Sequence, residues 1–220
     1  MKAVVVLSGG QDSATALALA VKKHGAQEVA AITFEYGQRH AVETTYARRL
    51  ARRFGIAAHK VVKLGFYRDL TTNALLDPSV EIGRTRGATC PNTVVEGRNA
   101  LFLTLAAVWA KTLGARILYT GVSEEDSSGY PDCRAAFIRA QARAIRLALD
   151  YPIRIVTPFM QMTKAAEWAL AAKLGIFDII ANETVTCYRG VPGKGCGRCP
   201  ACKLRNRGLR AFLRALRRGI

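Results

Sequence analysis

The sequence lacks long hydrophobic runs. No apolar segment approaches the roughly 18 residues that cross a bilayer, which excludes a transmembrane protein. The first residues contain an apolar run too short for a signal-peptide core, with no small-residue cleavage site behind it. We therefore expect a cytoplasmic protein without membrane contact, whose six cysteines stay reduced rather than form disulfides.

Acidic residues are also scarce. The 220-residue chain has 16 of them against 33 lysines and arginines, a formal net charge of +17. This excess favours anionic partners such as nucleic acid, phosphates or anionic small molecules. Arginines that only solvate the surface are an equally good explanation, because basic residues are scattered along the whole chain. Half of the residues are hydrophobic, enough to bury a core, which excludes general disorder.

Short β-type runs alternate with amphipathic segments. Predicted strands cover residues 4–7, 29–34, 56–64, 116–120 and 154–157, and predicted helices cover residues 12–23, 40–54, 99–113, 133–149 and 163–174. Strands that alternate with helices of this length indicate parallel pairing. The predicted fold class is therefore α/β, with a doubly wound parallel sheet.

Two segments break the alternation. Residues 65–98 lack clear periodicity and are predicted to form a long loop over the active face, whereas residues 186–202 hold four cysteines and four glycines. We therefore divide the chain into a nucleotide-binding domain, residues 1–180, and a small cysteine-rich element, residues 181–220, which ends in a basic helix. That helix docks on its own domain or on a dimer partner, or else it binds a membrane surface or RNA.

A serine- and glycine-rich loop, Ser8-Gly9-Gly10-Gln11-Asp12-Ser13, joins the first predicted strand to the first predicted helix. Backbone N–H groups and the helix dipole favour an anion at such a place, and glycines let phosphate oxygens approach closely. Asp12 would repel phosphate, so its predicted role is to hold a Mg²⁺ that bridges to the phosphates. The Lys-Ser/Thr ending of a Walker loop is absent, which excludes a P-loop NTPase.

Four cysteines lie close together near the C-terminus, with eight, two and two residues between neighbours: Cys187, Cys196, Cys199 and Cys202. Four thiolates at this spacing favour a tetrahedral structural Zn²⁺, with an iron–sulfur cluster as the alternative. Cys90 and Cys133 are interpreted as small buried residues. A catalytic thiol stays open for Cys133, which lies beside a strongly polar motif.

That motif, residues 121–134, follows a predicted strand and holds four carboxylates: Glu124, Glu125, Asp126 and Asp132. Ligands of parallel sheets bind beyond the carboxyl ends of strands, so we expect this loop to face the serine-glycine loop. A guanine-type ring offers N–H donors along one edge, which a carboxylate accepts in pairs. A solvated acidic loop is the alternative.

The serine-glycine loop carries the signature of the PP-loop ATP pyrophosphatases. The whole sequence resembles the 7-cyano-7-deazaguanine synthases of queuosine biosynthesis over nearly its full length. Besides the loop and the four cysteines, the matching segments are YGQRH at 36–40, GRN at 97–99, GYPDCR at 129–134, TK at 163–164 and TCY at 186–188. One departure is Glu96, at a position where the family usually has proline.

The resemblance implies a Rossmann-like fold and an ATP-dependent carbon–nitrogen ligase. Its reaction would convert 7-carboxy-7-deazaguanine and ammonia to 7-cyano-7-deazaguanine through adenylated intermediates and an amide, in the biosynthesis of the queuosine precursor. It also implies a structural Zn²⁺, Mg²⁺ with ATP, and a homodimer without an obligatory nucleic-acid partner. The alternatives are a PP-loop tRNA-modifying enzyme, a relative that attaches a deazaguanine to a protein, and a non-enzymatic zinc protein that binds nucleic acid.

The predicted site residues form three groups besides the metal ligands. Catalytic roles are predicted for Asp12, Ser13, Lys164 and Arg98, the last two as neutralisers of phosphate charge, with surface solvation as the alternative. ATP is predicted to bind Leu7, Ser8, Gly9, Gly10, Gln11, Asp12, Ser13 and Ala14. The substrate is predicted to contact Tyr36, Gln38, Arg39, His40, Asn99, Tyr130 and Asp132. Within that group Asp132 is the candidate for the deazaguanine edge, Tyr130 for shaping the pocket, and His40 for accepting a proton from ammonium.

Overall fold

Five short strands form one parallel sheet. In the computed structural model, which describes residues 1–39, 42–83, 90–124 and 130–219, the strands are β1 (Ala3–Val6), β2 (Val29–Glu35), β3 (Ala58–Lys63), β4 (Ile117–Tyr119) and β5 (Arg154–Val156). Their order in the sheet is β3-β2-β1-β4-β5, and every neighbouring pair is parallel. The predicted doubly wound α/β fold is confirmed. His40, Glu125 and Asp126 lie outside the described residues.

The helices follow the predicted alternation, with two additions. They are α1 (Gln11–His24), α2 (Val42–Arg53), α3 (Tyr67–Leu70), α4 (Arg98–Thr112), α5 (Ala135–Leu149), α6 (Lys164–Lys173), α7 (Phe177–Asn182) and α8 (Pro200–Arg217). The short helices α3 and α7 were not predicted, because four and six residues are too few to show a helical period. Thr163 caps α6, as predicted, by accepting the N–H of Ala166.

The core lies on both faces of the sheet. Successive side chains of a strand point to opposite faces, so Val4 packs with α4 and α5, whereas Ala3 and Val5 pack with α1, α6 and α7. All three are fully buried, as are Phe159 and Trp168 on the second face. A sheet buried on both faces explains why β1 reads as a continuous apolar run rather than an alternating one.

The strand order reverses at β1, which has β2 on one side and β4 on the other. The connections that leave β1 and β4 therefore diverge at one edge of the sheet, the usual ligand crevice of such folds. They touch there: a Cβ added to Gly121, after β4, would lie 2.9 Å from the backbone of Asp12 and Ser13. The serine-glycine loop thus sits at this crevice.

The basic C-terminal helix α8 docks on its own domain, which was one of the predicted possibilities beside a dimer partner, a membrane surface and RNA. It packs along α6, and Leu209 and Phe212 join the core there. Gly208 marks the closest approach, since a Cβ at this position would lie 2.5 Å from Lys164 Cβ and 2.8 Å from its carbonyl carbon. Within the described part of the chain, no helix combines the length and apolar character needed to cross a membrane.

Gly208→Ala tests this contact. Alanine normally stabilises a helix interior by about 1 kcal/mol relative to glycine, so an isolated α8 would gain stability. We expect a loss of about 1–3 kcal/mol instead, because the new Cβ meets the backbone of α6. Gly65→Ala is the matched control, since its Cβ would meet nothing within 4 Å. Thermal melts in which Gly208→Ala is as stable as the parent would contradict the packing.

Candidate active site

The serine-glycine loop is held by its own hydroxyl groups. Ser8 donates its N–H to Ser13 Oγ at 3.1 Å, and Gly10 donates its N–H to Ser8 Oγ at 3.3 Å. The two serine hydroxyls are 3.0 Å apart. Gly9 has φ +88, and a Cβ there would lie 2.5 Å from the carbonyl oxygen of Glu43, so only glycine fits. The loop therefore forms a tight turn that places the hydroxyls of Ser8 and Ser13 at the start of α1.

The segment before the cysteine cluster anchors this loop. Val185 donates its N–H to Gly9 O at 2.9 Å, and Gln11 donates its N–H to Thr186 Oγ1 at 3.1 Å. Both Val185 and Thr186 also line the cavity described next. Thr186 was not a predicted site residue, although it belongs to one of the matching segments; its 175-residue separation from Gln11 left no signal of contact in the sequence.

A cavity of about 810 Å³ opens between the serine-glycine loop, α2, α4 and α8. It brings together most predicted site residues, namely Leu7, Ser8, Gly10, Gln11, Asp12, Ser13, Tyr36, Gln38, Arg98, Asn99, Tyr130 and Lys164. Gly9, Ala14, Arg39 and Asp132 do not line it. Leu75 and Pro91, from the predicted long loop, do, which agrees with that loop lying over the active face.

A buried cation sits beside the loop. Lys164 Nζ lies 2.8 Å from Asp12 Oδ2 and 3.1 Å from Glu167 Oε1. The side chain of Glu167 is fully buried and that of Lys164 is 6 % exposed, whereas that of Asp12 is 24 % exposed at the cavity. Burial, with the charge of Asp12 beside it, raises the pKa of Glu167 to about 10. Glu167 is therefore protonated at neutral pH, and the charge of Lys164 is balanced by Asp12.

Part of the cavity wall is aromatic. Phe34 and Phe102 stack with ring centroids 4.2 Å apart, and Tyr36 meets Phe102 edge-on at 5.4 Å. Arg98 donates from Nη1 to Tyr36 Oη at 3.3 Å, and Tyr130 Oη lies 2.9 Å from Tyr188 Oη. Flat rings of this kind suit a planar heteroaromatic ligand, while the polar serine-glycine loop suits an anion.

The polar side chains of three predicted substrate residues form hydrogen bonds to the protein's own backbone. Asp132 Oδ2 accepts the N–H of Asn99 at 3.0 Å, at the start of α4. Arg39 donates to the carbonyls of Ala74, Pro78 and Val80. Gln38 accepts the N–H of Tyr36 at 2.8 Å and so closes the turn after β2. Their predicted roles toward substrate stay predictions.

Glu96 points away from the cavity. It is exposed, its carboxylate accepts a hydrogen bond from Thr71 Oγ1, and its carbonyl accepts one from Tyr67 Oη at 2.6 Å. Gly97 then takes φ +68 at the start of α4. The replacement of the family's proline therefore leaves Arg98 and Asn99 in the cavity wall.

Glu43 is a cavity residue that the sequence analysis missed. It lies in the first turn of α2 and lines the cavity, as does Arg98. Burial raises the pKa of Glu43 to about 7, against the opposing effect of the Arg98 charge. The folded chain, and not the sequence pattern, shows that Glu43 lies in the cavity wall and that its carboxyl interacts with the charge of Arg98.

The pKa of Glu43 predicts a pH-dependent stability. The unfolded chain releases this proton near 4.5, whereas the folded chain holds it to about 7. Between these values the native state binds more protons, so this carboxyl lowers stability as pH rises, and the effect is constant above pH 7. We expect the melting-temperature gain of Glu43→Gln over the parent to grow from pH 4.5 to 7 and then level off. A gain that is independent of pH would contradict the raised pKa.

The four clustered cysteines meet at the base of α8. Their sulfur atoms all lie within 4.8 Å of one another, and Cys187, Cys199 and Cys202 are buried. Gly195, at φ +69, passes so close that a side chain there would overlap Cys202 Sγ. Cys199 caps α8, with Cys202 in its first turn. Four sulfurs this close form a candidate metal centre at the start of a helix that walls the cavity.

The sequence profile of the family described as queuosine biosynthesis protein QueC matches residues 2–213. This agrees with the resemblance found in the sequence.

Two solved structures are similar. The NH3-dependent NAD synthetase from Campylobacter jejuni subsp. jejuni NCTC 11168, in complex with the nitrate ion, is 16 % identical with a TM-score of 0.48, over 81 % of this chain and 66 % of its own. A 4-thiouridine synthetase–RNA complex with bound ATP is 20 % identical with a TM-score of 0.52, over 98 % of this chain and 51 % of its own. This chain thus spans about half to two thirds of their lengths, and the second likeness supports the fold alone.

Proposed function

The chain belongs to the QueC family of queuosine biosynthesis proteins, and we propose that it is an ATP-using enzyme that makes a queuosine precursor. The reaction we propose is the conversion of 7-carboxy-7-deazaguanine and ammonia to 7-cyano-7-deazaguanine. The proposal includes a cytoplasmic homodimer without an obligatory nucleic-acid partner.

One observation carries the proposal: a single cavity is lined both by the serine-glycine loop and by a cluster of aromatic rings. The loop offers amides and hydroxyls to phosphates, and the rings offer faces to a planar base. A reaction that adenylates a group on a heteroaromatic ring needs both ligands side by side, because proximity supplies much of the rate.

ATP has a chemical purpose in this reaction. A carboxylate oxygen attacks the α-phosphorus of ATP and pyrophosphate leaves; ammonia then displaces AMP, giving the amide and a proton. The amide oxygen attacks a second ATP, pyrophosphate leaves again, and loss of AMP and the remaining N–H protons gives the nitrile. Each carbon–oxygen bond is thus broken with AMP as the leaving group, and no covalent bond to the protein is required.

The chain's own residues would bind and orient these groups. The serine-glycine loop would hold the β- and γ-phosphates through Gly10 and the hydroxyls of Ser8 and Ser13. Asp12 reaches the cavity with a partly exposed carboxylate, and carboxylate oxygens are the ligands that Mg²⁺ takes beside phosphates, so Asp12 fits a magnesium ion. When bound, Mg²⁺ would neutralise charge on the departing pyrophosphate.

We propose Zn²⁺ as the metal of the cysteine cluster. A tetrahedral zinc with Zn–S bonds of about 2.3 Å places its sulfurs about 3.8 Å apart. Cys196 Sγ and Cys202 Sγ are 4.0 Å apart and all four sulfurs are within 4.8 Å, so the cluster fits this geometry. Four protein ligands leave no open position, which gives the zinc a structural role.

Either of two carboxylates would read the donor edge of the deazaguanine. Asp132 stays the predicted reader, but its carboxylate accepts the N–H of Asn99. Glu43 lines the cavity and is the rival. A buried mismatch at the reader costs about 1–3 kcal/mol, so the variant of the true reader should bind the deazaguanine at least about tenfold more weakly. Titration calorimetry on Asp132→Asn and Glu43→Gln, with a non-hydrolysable ATP analogue as second ligand, separates the two. An equal loss of affinity for both ligands would mean that the residue only maintains the shape of the cavity.

The product mass tests the proposed function. The metal-loaded chain is mixed with Mg-ATP and 7-carboxy-7-deazaguanine, with and without ammonium, and the small molecules are measured by mass spectrometry. We expect the nitrile only with ammonium, and AMP rather than ADP. Absence of the nitrile from a preparation that still cleaves ATP would reject the reaction. ATP-dependent modification of added tRNA or protein would favour the tRNA-modifying or the protein-modifying alternative.

A further inference from the structure

The exposed face of α8 carries a stripe of basic residues that begins inside the cavity. Lys203, Arg207 and Arg210 follow one another at i, i+4 and i+7, so they share a face of the helix, and all three line the cavity. Arg214 and Arg217 continue the same stripe beyond it. The helix has no acidic residue that would neutralise these charges along its own length.

The cavity's other cations are already engaged. Lys164 is balanced by Asp12, and Arg98 donates to Tyr36 Oη. Arg205 is buried and donates to the carbonyls of Gly193, Ile180 and Ala181. Within the described residues, neither Lys203 nor Arg210 forms an ion pair with a carboxylate. Lys203 and Arg210 therefore add positive charge to that of Arg98, whose partner Tyr36 is neutral, and this charge favours a multiply charged anion at the serine-glycine loop.

Helix α8 is fixed in register against that loop. Cys199 and Cys202 tie its first turn to the cysteine cluster, Arg205 ties its second turn to the end of α7, and Gly208 touches Lys164. The basic stripe is thus presented by a rigid element, which lowers the entropic cost of binding an anion.

An unsatisfied polar group lies at the same cavity. Gln11 is 2 % exposed, and neither its Oε1 nor its Nε2 has a hydrogen-bond partner within the described residues. Buried amides without partners are costly, so this one is suited to a polar ligand. Gln11 is the first residue of α1 and belongs to the serine-glycine loop, which lines the same cavity as α8.

We propose that Lys203, Arg207 and Arg210 form a second wall of a pyrophosphate site, opposite the serine-glycine loop, that binds the β- and γ-phosphates of ATP and the pyrophosphate formed from them. The inference rests on one part of the proposed function, the cleavage of ATP to AMP and pyrophosphate. It does not depend on which acid is adenylated. The C-terminal element then has a role at the site beyond metal binding.

The test uses inorganic pyrophosphate and the full metal-loaded chain. Arg210→Gln removes one charge inside the cavity, while Arg214→Gln removes the same charge from the same face roughly 6 Å farther along the helix, outside it. Both side chains are exposed, so both variants should fold, which circular dichroism checks. Because glutamine cannot form the charge-assisted hydrogen bond of Arg210, its variant should bind pyrophosphate at least about tenfold more weakly. Arg214→Gln should weaken binding less than about threefold, through long-range charge alone.

Equal affinities of the two variants would overturn the proposal, whether both are weakened or neither is, because binding would then depend on net charge or on the loop alone. The same holds if the parent does not bind pyrophosphate. Absence of nitrile from a parent chain that binds pyrophosphate through Arg210 would reject the proposed function and leave this site standing.

Discussion

Asp12→Asn should lose ATP-dependent turnover by at least about a hundredfold while the fold is kept. The carboxylate reaches the cavity and also balances the buried Lys164. Asparagine supplies neither the negative charge nor an anionic oxygen for Mg²⁺. Stability should fall by less than the roughly 3–5 kcal/mol of a buried ion pair broken outright, because Glu167 remains 3.1 Å from Lys164 and ionises when Asp12 loses its charge. Pyrophosphate release and a thermal melt measure the two effects.

Glu167→Gln is the matched control for Asp12. With a pKa of about 10, Glu167 is already uncharged at pH 7, and glutamine reproduces its shape and its acceptor toward Lys164. We expect this variant to lose far less turnover than Asp12→Asn. Normal pyrophosphate release by Asp12→Asn would remove Asp12 from the reaction, and equal losses in both variants would mean that only the integrity of the buried cluster matters.

Cys199→Ser should lower metal content, stability and turnover together. A metal held by the four cysteines would close the base of α8, so its loss should loosen the start of the helix that walls the cavity. Structural zinc binds small peptides with an apparent free energy of about 10–16 kcal/mol. We expect Cys199→Ser to lower the free energy of unfolding by only several kcal/mol of this, because α8 keeps its packing on α6.

Cys90→Ser, the same exchange outside the cluster, should keep one metal ion per chain. Elemental analysis of the parent decides the metal. Iron in place of zinc would favour the iron–sulfur alternative, and a metal-free chain with unchanged stability would reject the structural role.

The sequence predicted the parts of the molecule that depend on local pattern. The alternation of short apolar runs with long helical segments indicated the parallel sheet, because the helices between the strands are long enough to show their period. Helices α3 and α7 were not predicted, because they are too short to show one. The serine-glycine loop was found because its six residues are contiguous.

Contacts between distant segments could not be predicted. Lys164 was expected to face phosphate, but its pairing with Asp12, 152 residues away, depends on how α6 packs against α1. Its other partner, Glu167, lies three residues along the same helix. Asp132 was expected to contact the substrate, but its carboxylate accepts the N–H of Asn99 at the start of α4. Glu43 and the basic face of α8 enter the cavity only through tertiary packing, which no spacing along the chain reveals.

The fate of the substrate oxygens tests the central claim most directly. The chain is supplied with Mg-ATP, ammonium and 7-carboxy-7-deazaguanine whose two carboxylate oxygens are ¹⁸O, and AMP is examined by mass spectrometry. The account predicts two AMP molecules per nitrile, each with one ¹⁸O in its phosphate, because each oxygen leaves on an adenylate. Label in water or inorganic phosphate, or nitrile formed with unlabelled AMP, would contradict it.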